Sequence, residues 1–131
     1  MKTALHPHEV FLQEIQDEFA EILTNSAQGI YMYLDDPHWI CNDRLATMLD
    51  YSSAAELQEH ASGSPFLDAL VESDSQERVV AAYTKAVDHK VASSLPVTWK
   101  RKGGGTIKTQ AIFAPISFKG TVLTLHFVTP V

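Results

Sequence analysis

HWICNDRLATMLDY, residues 38–51, begins as a buried strand and turns within three residues into an amphipathic helix. Trp39, Ile40 and Cys41 form a continuous apolar run, whereas Leu45, Met48 and Leu49 recur at helical spacing. Asn42 stands at the joint. Its side-chain oxygen suits the N-cap of the helix, where it can accept from the orphan amide of Arg44 or Leu45. A strand that feeds a helix through one capping residue implies a mixed α and β domain, and the flanking sequence supplies the rest of it.

Upstream, GIYMYL (residues 29–34) reads as a strand and DDPH (35–38) carries turn chemistry, so the two strands form a hairpin. Before it, HEVFLQEIQDEFAEILTN (8–25) places Leu12, Ile15, Phe19 and Ile22 on one helical stripe, widened by Phe11 and Leu23, with Glu9, Glu14, Glu18 and Glu21 off it. That stripe must be buried, either on the helix's own domain or in a dimer seam. Downstream, SSAAELQEH (52–60) starts a helix capped by Ser52 or Ser53, with Glu56 as the partner in a capping box. SDSQERVVAAYTKAVDHK (73–90) is a longer helix, capped by Ser73 or Asp74, with Val79, Ala82, Tyr83 and Ala86 on its inner stripe. Three strands follow, 94–102, 106–118 and 121–131, joined by GGG and KG turns into an antiparallel meander.

The order of helix, two strands, several helices and three strands predicts a single α+β domain with five antiparallel strands, with helices over one face and an amphipathic N-terminal helix. A length of 131 residues is that of one domain. Residues 1–25 form the N-terminal helical segment and 26–131 the domain proper. A net charge of −6, with ten Lys and Arg dispersed along the chain, argues against a nucleic-acid surface. One cysteine makes no internal disulfide. No apolar run approaches the roughly 18 residues of a membrane span, and the first residues lack a signal-peptide core, so a cytoplasmic protein is expected.

Four segments together resemble the PAS domains, the sensory modules of signalling proteins: ILTNSAQGIYMYLDD (22–36), WICNDRLATMLDYSSAAEL (39–57), FLDALVESDSQERVVAAYTKAV (66–87) and WKRKGGGTIKTQAIFAPISFKGTVLTLHFVT (99–129). The resemblance spans roughly residues 20–129, and it rests on order and spacing rather than on any single motif. It implies a five-stranded sheet whose helices enclose a core that holds a cofactor or small ligand in some members. It also implies a homodimer made through the N-terminal helix and the sheet, and a signalling protein as a further partner.

The flavin-binding members react through a cysteine in a helical-side motif, and nothing like it occurs near residues 59–68. Cys41 lies in a strand, without a base or cationic neighbour in sequence, and is expected to pack as a small hydrophobe. Haem-binding members place a histidine inside the long helix, where residues 75–88 contain none. The sequence therefore argues against haem and a covalently reacting flavin, and leaves the cofactor unknown. No pair among His6, His8, His38, His60 and His89 shows metal-ligand spacing on one face with a supporting carboxylate, so no metal site is expected beyond adventitious binding at His6 and His8.

The last strand alternates, with Val122, Thr124, His126 and Val128 on one face. Aligned with the family, that face looks into the cavity, together with Met32, Leu34, Trp99, Thr109, Ala111 and Phe113. With Met48 of the following helix, the expected ligand-binding set is Met32, Leu34, Met48, Trp99, Thr109, Phe113, Thr124 and His126. The other face would carry Tyr31, Tyr33, Ile112, Leu123, Leu125 and Phe127, too apolar to leave wet. The expected dimer interface is thus Phe11, Leu12, Ile15, Phe19, Ile22, Tyr31, Tyr33 and Leu125. No nucleophile elbow or phosphate-binding loop occurs, so a non-enzymatic sensor is the leading expectation. The alternatives are a pure dimerisation module with a filled core and a small cone-like α+β enzyme with His126 as general base.

Overall fold

The computed structural model of the chain describes residues 7–131, so His6 and the first residues of the 1–25 segment lie outside the described residues. Along the chain, α1 (Pro7–Glu18) and α2 (Ala20–Asn25) precede the hairpin β1 (Gly29–Asp35) and β2 (His38–Cys41). Then come α3 (Asp43–Met48), α4 (Ala54–Ala61), α5 (Phe66–Leu70), α6 (Ser73–His89) and the meander β3 (Ser93–Lys100), β4 (Thr106–Phe118) and β5 (Thr121–Pro130). The strands form one antiparallel sheet in the order β2-β1-β5-β4-β3, which makes this an α+β fold with β5 at its centre.

Asn42 does more than cap α3. Its Oδ1 accepts from the Leu45 amide at 3.0 Å and from the Ile30 amide at 2.9 Å, while its Nδ2 donates to the Gln28 carbonyl at 3.0 Å. One buried side chain thereby fixes the start of α3 against the start of β1. Gly29 permits the close approach, since a Cβ there would lie 3.2 Å from Leu45 Cα and 3.0 Å from Met48 Cε. Ser53 caps α4 by accepting from the Glu56 amide, and the Glu56 carboxylate reaches back to Ser52 instead of to the cap residue itself. Neither Ser73 nor Asp74 caps α6. The cap position is Glu72, and the neighbouring Ser75 hydroxyl is buried and accepts from the Thr98 amide, tying the helix to β3. At the β4–β5 turn, Lys119 and Gly120 both have positive φ, as a two-residue hairpin loop demands.

Two apolar clusters lie on opposite faces of the sheet. Under α3–α6, Tyr31, Trp39, Leu45, Leu57, Phe66, Leu70, Trp99 and Phe113 form the larger one. On the far face, α1 and α2 place Ile15 and Leu23 on Ile30, Met32, Ile40, Leu123 and Leu125, with Phe11, Leu12 and Phe19 at the margin. The expected N-terminal helix is broken at Phe19, whose φ of −102° and ψ of 12° separate α1 from α2, and its ring packs 5.7 Å from Phe118.

The facing of β1 differs from the sequence expectation. Tyr31 pairs directly with His126, and His126 with Phe113. Directly opposed residues project to the same side of a sheet. Tyr31 and Tyr33 therefore face α3–α6, while Met32 and Leu34 face the N-terminal helices, the reverse of what the sequence suggested. GIYMYL is apolar on both faces because both are covered, so alternation carries no information on which face is which. Ile112 does lie on the far face, but it is 42% exposed and not covered.

Candidate functional site

A cavity of about 420 Å³ lies between the sheet and helices α5 and α6. Tyr31, Tyr33 and His126 line its sheet side, Phe66 and Leu67 come from α5, and Gln76, Val79, Val80 and Tyr83 come from α6. Asp36, Pro65 and Asp68 complete it, and half-exposed Val80 marks its opening. Each side chain arrives by a simple periodicity. Tyr31 and Tyr33 are two apart on β1, and Gln76, Val79, Val80 and Tyr83 recur at three, four and seven along α6.

The wall is braced by polar contacts. The Tyr33 hydroxyl donates to Asp36 Oδ1 at 2.8 Å, and the same oxygen accepts from the Phe66 amide at 3.1 Å. The Tyr83 hydroxyl donates to the Tyr33 carbonyl at 3.3 Å. Gln76 Nε2 donates to the carbonyls of Leu67 and Val71, closing the loop between α5 and α6.

The floor is different. His126 is fully buried, stacked on Tyr31 with ring centroids 4.0 Å apart and against Phe113 at 4.2 Å. Among the described residues, neither ring nitrogen has a hydrogen-bond partner, and the same holds for the Tyr31 hydroxyl and the Thr124 hydroxyl. Burial pushes the imidazole down to about 3, so it is neutral at physiological pH, with one donor and one acceptor. Burial first, and the neighbouring Tyr83 second, raise the Tyr31 phenol well above its ordinary value, which keeps it neutral also.

Of the expected ligand-binding residues, only His126 lines this cavity. Phe113 and Thr124 stand on the same sheet face, behind or beside it. Trp99 and Thr109 are brought together but closed on each other: the indole donates to the Thr109 hydroxyl at 3.0 Å, which donates to the Val97 carbonyl at 2.8 Å. That pair is core. Met48 packs at the Gly29–α3 contact, away from the cavity, and Met32 and Leu34 lie across the sheet. The sequence reading missed Tyr31, Tyr33, Phe66 and Tyr83. Tyr83 was already marked on the inner stripe of α6, but the tyrosines of β1 needed the β1–β5 register, which no local pattern supplies.

The expected dimer seam is likewise redistributed. Ile15 and Leu125 are buried within the chain, Phe11, Leu12 and Phe19 pack on the same cluster, and Tyr31 and Tyr33 belong to the opposite face. Of the eight, only Ile22 is exposed, at 41%. The helical stripe is satisfied by its own sheet, because the far face offers it an apolar surface within the same chain.

Cys41 is buried on the helical side of β2, and burial, with the Asp43 carboxylate adding to it, pushes its thiol up to about 12. It is held as the inert protonated form. His8 and His38 depart from the expectation for metal ligands. Remote in sequence, both lie against Asp35: His8 Nδ1 is 2.6 Å from Oδ2 and His38 Nδ1 is 2.6 Å from Oδ1. Two histidines do therefore share a face with a carboxylate.

Among the described residues, no helix is long and apolar enough to cross a membrane. No protein-family model matches the chain, and no curated protein matches it. Solved structures do. The PAS domain of a protein from Colwellia psychrerythraea superposes with a TM-score of 0.66 at 18% identity, over 89% of this chain and 97% of that one. The PAS domain of a LuxR-family transcriptional regulator from Burkholderia thailandensis, in complex with ethanol, gives 0.62 at 16%, over 86% and 96%. That of nitrogen regulation protein NR(II) from Vibrio parahaemolyticus gives 0.61 at 13%, over 86% and 96%. The chain has the PAS-domain fold.

Proposed function

We propose that the chain is a signal-sensing or regulatory PAS module whose cavity binds a small uncharged ligand, apolar for most of its surface and carrying one or two hydrogen-bonding groups. The observation that carries this reading is the cluster of buried polar atoms at the cavity floor, on His126 and Tyr31, that have no hydrogen-bond partner among the described residues. Each such atom costs about 1–3 kcal/mol when left unpaired, so a ligand group that pairs with it gains affinity and specificity at once. About 420 Å³ falls within the range of small-molecule sites, and the aromatic walls match their usual composition. Asp36 and Asp68 at the edge disfavour an anion. The similar domain from Burkholderia thailandensis in complex with ethanol is one case of this fold with a small uncharged molecule.

Binding would be read out through the sheet. Tyr31 touches the cavity, while its neighbours Ile30 and Met32 touch the cluster under α1 and α2. A displacement of the Tyr31 backbone therefore moves the seat of the N-terminal helices, the route by which a signalling partner or a second copy would sense occupancy. The reading as a filled-core dimerisation module is disfavoured by the cavity itself. The enzyme reading is disfavoured because an imidazole held near 3, with no carboxylate against it, is a poor general base at neutral pH.

Thermal-shift screening of a metabolite library against the wild type, Tyr31→Phe and His126→Phe tests the proposal. A ligand at a hundredfold its Kd stabilises by about 2.7 kcal/mol. Hits that both variants lose support the sensor. A library without hits, with native mass spectrometry showing only the bare chain after purification, overturns it.

A further inference from the structure

We propose that His8, Asp35 and His38 form a site for a zinc-like divalent transition metal, which clips the N-terminal helix to the β1–β2 hairpin. The three residues come from separate elements. His8 lies in the first turn of α1, Asp35 ends β1 beyond a register shift after Tyr33, and His38 begins β2 directly opposite Asp35. One ligand atom from each lies within 4.8 Å of the others. The imidazoles stand edge to face, with centroids 5.5 Å apart, and each meets a different oxygen of the one carboxylate.

Two imidazole nitrogens and a carboxylate oxygen are the donor set of Zn²⁺ and its neighbours, not of Ca²⁺ or Mg²⁺, which call for oxygen. Donors bound at about 2.0–2.2 Å from one tetrahedral ion stand roughly 3.3 Å apart. The 2.6 Å contacts must therefore open by about 0.7 Å, and the two imidazole donors, within 4.8 Å of each other, must converge on the same ion, adjustments that side-chain rotation supplies. Metal binding requires the Nδ1 lone pairs, so in the metal-bound form each ring carries its proton on Nε2. For His38 that Nε2–H faces the Glu9 carboxylate, whose oxygen is 3.8 Å away, the outer-sphere partner that orients a ligating imidazole. His38 is 11% exposed in its side chain, whereas His8 and Asp35 are 43% and 38% exposed, so one ligand is anchored and two remain accessible to an entering ion.

The site adjoins the cavity without being part of it. Asp36, next to Asp35, holds Tyr33 and the α5 amide at the cavity wall. The proposal does not depend on what the cavity binds.

The test uses the full chain, stripped with chelator and titrated with ZnCl₂ by calorimetry, alongside Co²⁺ absorption spectroscopy and thermal unfolding. One zinc per chain, a tetrahedral Co²⁺ spectrum and a raised Tm without response to Mg²⁺ are expected. Asp35→Asn and His38→Gln should each weaken zinc at least tenfold, and His8→Gln, at an accessible position, should do so without a change in fold. Zinc that binds equally well to Asp35→Asn and His38→Gln would be adventitious binding to the His6 and His8 pair and would overturn the proposal. Absence of any zinc-dependent heat or Tm shift in the wild type would do the same, as would loss of the effect in His60→Gln or His89→Gln.

Discussion

His126 is the group whose protonation the fold penalises most directly, and the penalty can be worked out. Its folded value is about 3, lowered by burial, against an unfolded value near 6.5. Above pH 6.5 neither state carries the proton, and the residue contributes no pH dependence. As pH falls below 6.5, the unfolded chain binds a proton that the folded chain refuses, so stability is lost progressively until about pH 3. At pH 5 the loss is about 2 kcal/mol, and any folded value below about 4 gives nearly the same figure. Urea unfolding at pH 7.5 and 5.0, for wild type and His126→Phe, isolates this contribution. The carboxylates at the cavity edge, Asp36 and Asp68, and the phenols Tyr31, Tyr33 and Tyr83 are retained in both proteins and cancel in the difference. Phe keeps the stacking volume against Tyr31 and Phe113 while removing the titration. The wild type should lose about 2 kcal/mol more than the variant between the two pH values. Equal losses would show that the imidazole is hydrated in the folded state and that the cavity floor is not dry.

Further outcomes follow from the same geometry. Asn42→Ala removes a helix cap worth about 0.5–2 kcal/mol and leaves the Ile30 amide and Gln28 carbonyl without their partner, so urea unfolding should show a loss of at least about 2 kcal/mol. Trp99→Ala should cost about 3–5 kcal/mol, since the indole is fully buried and hydrogen-bonded to Thr109; a loss below about 1 kcal/mol would mean that the region around it is not packed. Deleting residues 1–24 uncovers Ile30, Met32, Ile40, Leu123 and Leu125, and light scattering should then report association; a soluble truncated chain of unchanged oligomeric state would show that this face needs no cover.

How much could be read in advance depended on whether the information was local. The strand-to-helix joint at Asn42, the hairpin through DDPH and the meander through GGG and KG are signalled by residues adjacent in sequence, and the structure has all of them. The α+β architecture follows from their order. Alternation sorted β5 into two faces, with Val122, Thr124 and His126 on one, and the family resemblance supplied which of them looks into the cavity, whereas β1 is apolar throughout and was placed the wrong way round. That single step of register moved Met32 and Leu34 out of the expected cavity and Tyr31 and Tyr33 into it. The His8–Asp35–His38 cluster was invisible for a related reason: its members are 27 and 3 residues apart, and only the docking of α1 on the hairpin joins them.

Under the proposed function, the two-faced course of β1 would be the means of coupling. Along β1, consecutive residues belong to opposite faces: Tyr31 to the cavity, Met32 to the seat of α1, Tyr33 to the cavity again and Leu34 to the helix side. At the hairpin this continues into Asp35, which engages His8 of α1, and Asp36, which holds Tyr33 and the start of α5. No residue intervenes between the two roles, so the peptide joining Asp35 to Asp36 cannot tilt without loading both contacts. Ligand entry that draws Tyr33 or Phe66 inward would pull on Asp36 and hence on the carboxylate that ties α1 down. Hydrogen exchange offers the decisive measurement: binding in the cavity should change the protection of α1 amides in the wild type, and Asp36→Ala should remove that change while leaving the fold intact. Coupling that survives Asp36→Ala would route the signal through Tyr31 and the sheet centre instead.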